Sequence, residues 1–202
     1  MKNRISTITI TILTFTFLSA QEPKSNQEWD LGGTSRLNFS QVNLTNWSAG
    51  GQNSLSLNSM VSFHAHKSKG KGKWENFLEL AYGMINQGDG AWIKTDDRID
   101  FTSKYGQKIN DKWSYAALLN FKTQFTDGYN YSNDSLKISD LFSPAYFLES
   151  FGMDFKANDH FNAFIAPFTL KATIVGDQDL ANAGAFGVEA AERDSLGNIT
   201  RE

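Results

Sequence analysis

Long stretches of period-two alternation are the feature that most constrains the fold of this chain. Between residues 54 and 66, apolar side chains alternate with Ser, Asn and His; the apolar set is Leu55, Leu57, Val61, Phe63 and Ala65. Because successive side chains of a β-strand point to opposite faces, the pattern predicts a strand with one apolar and one polar face. Such stretches recur at about residues 31–44, 53–66, 73–86, 93–109, 112–126, 144–157 and 160–175, with a weaker one near 185–191. The chain is predicted to be all-β.

The lengths of these strands and of their connections favour a membrane barrel. Strands in soluble sheets usually have about five or six residues, whereas a tilted strand crossing a bilayer needs about nine to eleven. Tight turns at 110–111 and 158–159 alternate with long connections at 127–142 and 176–184, an asymmetry typical of outer-membrane barrels. We therefore predict an antiparallel up-and-down transmembrane β-barrel with about eight strands. We expect it to be incomplete in this chain, because the residues after the turn at 193–198 are too few for a returning strand.

The N-terminus and the composition predict where the protein resides. Residues 1–20 combine Lys2 and Arg4 with an apolar stretch and a small-residue cleavage site, which predicts a secretory signal peptide. A flexible lead-in at 21–30 and the barrel domain at 31–202 complete the predicted organisation. The 202 residues include no Cys, and the net charge of -3 gives no sign of a nucleic-acid partner. We expect export to the outer membrane of a Gram-negative bacterium, with outer-membrane lipid as the partner.

Several segments carry a resemblance to a known family. They are the Asn-Trp-Ser-Ala-Gly-Gly core within residues 38–51, and the stretches 94–100, 103–106, 120–125 and 183–187. In these segments the chain resembles a Bacteroidota outer-membrane barrel family catalogued as domain of unknown function 3078. The resemblance implies an outer-membrane location and a longer chain with further strands, and it implies no activity.

Three strands open with an aromatic residue soon after a turn. The residues are Trp74, Trp113 and Phe161, and they are candidates for one ring of the aromatic girdle at a membrane interface. Aromatic caps on a soluble core are the alternative interpretation. In the loop at 46–52, Trp47 is a candidate contact for a partner or a glycan, and a turn plugged by Trp is at least as good an interpretation.

Charged residues cluster on one face of the predicted strands. The candidate lumen charges are Glu75, Glu79, Arg98, Asp100, Lys104 and Lys122. They suit either a charged constriction that selects solutes or a network of cross-strand salt bridges that fills the lumen. We favour the salt-bridge network, since such networks are common in structures.

Catalytic and metal-binding patterns are weak. His64 and His66 share a strand face at a spacing that suits two ligands of one metal ion, but the sequence offers no obvious third ligand, and the basic turn at 67–73 would repel a cation. No motif singles out a nucleophile or a general base. The sequence therefore predicts no catalytic, cofactor-binding or metal-binding residue, no cofactor and no enzyme.

Three functions are compatible with this architecture. The first is a passive outer-membrane barrel that acts as a pore for small solutes or as an envelope assembly component, with small solutes or envelope proteins as partners. The second is a soluble secreted or periplasmic β-barrel that binds an apolar ligand inside. The third is an outer-membrane barrel enzyme acting on lipid or protein. The first two differ in which face of the sheet is turned inward.

Overall fold

A computed structural model describes residues 13–14, 29–45, 50–131, 133–158 and 160–201. Its strands in chain order are β1 Leu13–Thr14, β2 Asp30–Val42, β3 Ser54–Lys69, β4 Gly72–Gln87, β5 Trp92–Lys108, β6 Trp113–Thr123, β7 Gly128–Asn130, β8 Asn133–Ser139, β9 Ala145–Lys156, β10 Asn162–Ile174, β11 Glu192–Arg193 and β12 Ile199–Arg201. A short helix α1, Gln178–Asn182, and a 3₁₀ turn, Ala185–Gly187, follow β10.

One antiparallel sheet contains most of these residues. Its strand order is β1-β2-β3-β4-β5-β6-β9-β10, and β7-β8 and β11-β12 form two small separate hairpins. Within the described residues β2 and β10 are not paired with each other, so the sheet is open there. None of the helices described has the length and apolar character that a membrane crossing would require. The prediction of an all-β antiparallel fold is confirmed, with seven long strands in the main sheet.

The seven long strands agree with the sequence predictions to within a few residues at each end. The prediction of a weaker strand near residues 185–191 is wrong. Gly184, Phe186 and Gly187 all have positive φ there, a backbone conformation that a β-strand does not contain. The hairpin β7-β8 was not predicted and lies inside the connection expected to be one long loop.

The two tight turns share one hydrogen-bond arrangement. The Oδ1 atom of Asn110 accepts hydrogen bonds from the backbone amides of Lys112 and Trp113, at 2.9 and 3.0 Å. The Oδ1 atom of Asn158 does the same for the amides two and three residues later, both at 2.9 Å. Asn side chains favour turns because they can bond the backbone just ahead of them. Each turn thereby places an aromatic residue, Trp113 or Phe161, at the sheet's rim.

The register between strands sorts the side chains onto two faces. One face is mainly apolar across β2 to β10, and the opposite face carries Ser, Asn, Thr, His and most of the charges. The facing rows pair like with like: Phe63 lies opposite Leu78, and Leu78 lies opposite Phe101. No covering layer lies on either face among the described residues, where the buried hydrophobic residues are only Ala81, Ala116 and Ala145. The sheet therefore lacks the core of large side chains that soluble sheets bury.

Candidate functional site: the two faces of the sheet

The apolar face is exposed over its whole extent. Its large side chains with high exposure are Leu31, Leu37, Leu57, Phe63, Trp74, Tyr105, Tyr115, Phe151, Ile165, Phe168 and Leu170, with Phe168 exposed to 74%. The surfaces of monomeric soluble proteins rarely carry apolar patches larger than a few hundred Å². A continuous apolar face of this kind requires an apolar environment.

The three aromatic residues singled out in the sequence lie at one end of the sheet and on one face. Trp74 is the third residue of β4 and lies opposite Tyr105 of β5, and its Nε1 donates to Ser103 Oγ at 2.9 Å. Trp113 begins β6 and packs on Phe155, with ring centroids 4.6 Å apart. Phe161 lies just before β10, with its ring centroid 6.5 Å from that of Phe155. By the strand register they all belong to the apolar face, where they form an aromatic edge.

The six candidate charges all lie on the polar face, and each is within an ion pair. Arg98 pairs with Glu79 at 2.8 Å, Lys122 with Asp100 at 3.0 Å, Lys104 with Asp154 at 2.6 Å, and Glu75 with Lys73 at 2.7 Å. Asp154 was not among the residues singled out from the sequence. Such partly exposed pairs contribute only about 0–1 kcal/mol each. Their main effect is therefore on the charge balance of this face.

Side chains from distant strands converge on the polar face. Strands β5 and β10 are separated by β6 and β9, about 14 Å in a flat sheet at roughly 4.8 Å per spacing. Nevertheless Lys104 Nζ of β5 lies 4.6 Å from the ring centroid of Phe164 on β10. Away from the sheet's ends, the buried positions lie on this face and are small: Ala81, Gly83, Ala116 and Ser150. Side chains of distant strands approach each other on this face, and its central positions are buried. Both observations indicate that the polar face is the concave one.

The apolar face holds several open grooves, and a smaller one of about 400 Å³ beside Trp74 accompanies the two larger ones. One, of about 630 Å³, lies beside Tyr105, Tyr115 and Phe151. The other, of about 700 Å³, lies beside Leu31, Phe63 and other residues of β2 to β5. They are depressions between exposed side chains rather than an enclosed cavity.

At the end of the sheet opposite the aromatic edge, a buried carboxylate holds the chain that leaves β6. Asp97 pairs with Lys94 at 2.6 Å, and its carboxylate also accepts hydrogen bonds from the backbone amides of Phe125 and Thr126. Asp97 was not among the residues singled out from the sequence. Only the approach of residues 125–126, which lie about thirty positions further on, shows its role.

A second ion cluster joins two connections at this end. Lys137 of β8 pairs with Asp140 at 3.0 Å and, more closely, with Asp177 just before α1. The hydrogen bond from Lys137 holds the pKa of both carboxyls below the usual value, and the paired carboxylates raise the pKa of Lys137. The cluster joins the β7-β8 hairpin to the segment that follows β10.

The two neighbouring histidines have a third possible ligand, contrary to the sequence analysis. Asp30 of β2 pairs in register with His66 of β3, and ligand atoms of Asp30, His64 and His66 all lie within 4.8 Å of one another. The sequence did not reveal Asp30, because it is distant along the chain and becomes a neighbour only through the β2-β3 register.

Two predicted features lie outside the described residues. They are Trp47, the candidate loop contact, and most of the predicted signal peptide. Of the latter, β1 alone is described, and its backbone pairs with Phe39 and Asn38 at the outer edge of β2.

Comparison with known proteins finds a family match for the central strands. Residues 39–129 match the model of a family described as Protein of unknown function (DUF3078). The resemblance to domain of unknown function 3078 is thereby confirmed over residues 39–129, whereas the segment at 183–187 lies outside the match. The DUF3078 segment contains all of β3 to β6, with both histidines and the Glu79–Arg98 and Asp100–Lys122 pairs, but not Asp30 or Asp154. No curated protein and no solved structure matches the chain.

Proposed function

We propose that this chain forms part of the wall of an outer-membrane β-barrel with a passive role, as a pore for small solutes or as a component of envelope assembly, without catalytic activity. The observation that carries the proposal is the uncovered apolar face of the sheet, which is bordered at one end by aromatic residues. Lipid is the environment that stabilises such a face. The DUF3078 match is compatible with the proposal and assigns no activity.

The height of the apolar face suits a membrane. On β4, this face extends from Trp74 to Met84, about 33 Å along the strand at roughly 3.3 Å per residue. A strand tilt of roughly 40° reduces that height to about 25 Å, which is the height of the outward apolar band of outer-membrane barrels. Trp and Tyr favour the interface between hydrocarbon and water, where the aromatic edge would lie.

The concave polar face supports this orientation. In a membrane barrel the polar face lines a wet interior and the apolar face contacts lipid, whereas a soluble ligand-binding barrel has these faces reversed. The crowding around Lys104 indicates that the polar face turns inward. The apolar-ligand alternative finds support only in the open grooves, and they lie on the opposite, convex face.

The test uses a pair of neighbouring residues on β3. The chain has no Cys, so Leu57→Cys and Asn58→Cys each introduce a single labelling site, one on each face of the sheet. The protein is labelled with an environment-sensitive fluorophore and reconstituted into vesicles with or without brominated acyl chains. We expect bromine to quench the probe at 57 and not at 58.

Two outcomes would contradict the proposal. One is quenching at 58 and not at 57, which would reverse the faces. The other is a protein that stays in the soluble periplasmic fraction and runs identically on SDS gels with and without boiling. The first outcome would put the polar face against lipid. In the second, a soluble barrel with an apolar ligand would replace the membrane wall.

A further inference from the structure

The β2-β3 pairing brings three metal-ligating side chains together at one corner of the polar face. Asp30 is paired with His66, and Gly32 with His64, so the carboxylate and both imidazoles point to the same side. Their ligand atoms lie within 4.8 Å of one another. A Zn²⁺ ion with bonds of about 2.0–2.2 Å would hold its ligand atoms roughly 3.3 Å apart. Small side-chain rotations bridge that difference, since Asp30 is exposed and free to turn.

One of the ligands has an unmet bonding requirement. Nε2 of His66 is one of two buried side-chain nitrogen or oxygen atoms without a hydrogen-bond partner among the described residues. Burying such an atom without a partner is unfavourable, because it loses its hydrogen bond to water. The ring itself is held in place, with its centroid 4.9 Å from that of His64 and 4.8 Å from that of Phe77. Coordination by a cation would satisfy the imidazole without moving the backbone.

Glycine makes room for the other imidazole. A Cβ atom at position 32 would lie 2.7 Å from Nε2 of His64 and closer still to its Cε1. The His64 ring therefore lies directly over the Gly32 backbone, where any other residue would displace it. This contact holds the His64 ring on the side of Gly32 that faces Asp30.

The surrounding charges also suit a cation. Glu75 of β4 pairs in register with His66 on the same face, and its carboxylate neutralises Lys73 of the adjacent turn at 2.7 Å. A second lysine of that turn, Lys67, lies over the Trp29 ring. Two of the four lysines at 67–73 are therefore less repulsive than the sequence suggested.

From these observations we propose that Asp30, His64 and His66 form a site for Zn²⁺ or a similar divalent transition-metal ion. Two imidazoles and a carboxylate are borderline ligands that suit Zn²⁺ and disfavour Ca²⁺ and Mg²⁺, which prefer oxygen. Three protein ligands leave a fourth position for water. The ion would join β2 to β3 near the open edge of the sheet. This proposal is independent of the membrane proposal, since it depends only on the β2-β3 pair.

The chain contains its own control for the test, because its three histidines are His64, His66 and the exposed His160. The full chain, folded in detergent micelles, is titrated with Zn²⁺ by calorimetry, and Co²⁺ absorption reports the geometry. We expect one site per chain. We also expect His64→Ala, His66→Ala or Asp30→Asn to weaken binding by at least about tenfold, and His160→Ala to leave it unchanged.

Two further measurements guard against variants that fail to fold. Gly32→Ala keeps all three ligands but displaces the His64 ring, so we expect weaker Zn²⁺ binding with an unchanged circular dichroism spectrum. In the unaltered chain, Zn²⁺ should protect His64 and His66, but not His160, from modification by diethylpyrocarbonate. Equal protection of all three histidines, or no protection, would overturn the proposal, as would calorimetry that shows no saturable site.

Discussion

At the residue scale, the backbone contact at Gly152 gives a sharp stability prediction. At the bulge between Ile165 and Phe168, the β10 backbone presses against Gly152, and a Cβ atom there would collide with the Ile165 carbonyl and Ala166 Cα. Backbone atoms cannot rotate away as a side chain can. We expect Gly152→Ala to destabilise the protein by about 1–3 kcal/mol, the usual cost of overpacking, as measured by urea unfolding in micelles.

The control lies in the same row of the sheet. Gly106 pairs with Ala116, and Ala116 with Gly152, but a Cβ atom at 106 meets nothing closer than 3.9 Å. Gly106→Ala is therefore expected to be neutral or slightly stabilising, because glycine in a strand costs conformational entropy. Similar losses in both variants would show that the bulge contact is not the cause.

A second prediction at this scale concerns the turn asparagines. Asn110→Ala removes one acceptor from two backbone amides, so we expect a loss of about 1–2 kcal/mol at roughly 1 kcal/mol per hydrogen bond. Asn110→Asp keeps an acceptor oxygen and should retain most of the stability. Urea unfolding of both variants measures the difference, and equal losses would refute the role of Oδ1.

At the scale of elements, the β7-β8 hairpin should be dispensable for the main sheet. β6 pairs directly with β9 from Trp113↔Phe155 to Lys122↔Tyr146, so the hairpin contributes no strand between them. Replacing residues 128–140 by a short Gly-Ser linker is expected to preserve the strand content of the main sheet. Far-UV circular dichroism and heat-modifiable gel mobility measure the outcome, and loss of the sheet would contradict it.

The same hairpin should hold the segment after β10 in a pH-dependent way. The pKa values of Asp140 and Asp177 lie below the usual 3.8. The stabilisation of this contact by the two ionised carboxylates is therefore complete above about pH 4, and it is lost as the pH falls through their lowered pKa values. We expect proteolysis at residues 176–184, assayed with an acid-active protease, to accelerate only at such acidic pH. Lys137→Gln should accelerate it at neutral pH as well, and unchanged proteolysis in that variant would count against the cluster.

The sequence predicts those elements that depend on residues close together in the chain, and not those that depend on the pairing of distant strands. Alternation within a strand is local, so the seven long strands and the faces of Leu57 or Arg98 could be predicted. The same kind of pattern predicted a strand near 185–191, but the positive φ angles of Gly184, Phe186 and Gly187 make the start of this segment a turn. The partners of Asp30 and Asp154 could be assigned only from the register between strands, which alternation alone does not specify. The proposed metal site and one ion pair were therefore not predicted.

At the scale of the whole molecule, the paired charges on the concave face predict weak ion selectivity. If the wall encloses a pore, the pairs Glu79–Arg98, Asp100–Lys122 and Lys104–Asp154 leave little net charge along it. Lys122→Gln would leave Asp100 unpaired and should shift the reversal potential in planar bilayers towards cation selectivity, most strongly at low salt. Lys71→Gln, in the exposed turn before β4, is the matched control. If Lys122→Gln left the reversal potential unchanged, this face would lie outside the conduction path.

The meander topology has a further consequence. In the main sheet each long strand pairs only with the strands that precede and follow it there, and the insertion of β7-β8 between β6 and β9 leaves that order intact. A gene encoding such a sheet can gain or lose whole hairpins by duplication or deletion without changing the partners of the remaining strands, beyond those at the junction. The number of strands can thus vary over evolutionary time while the local pairing rules stay the same.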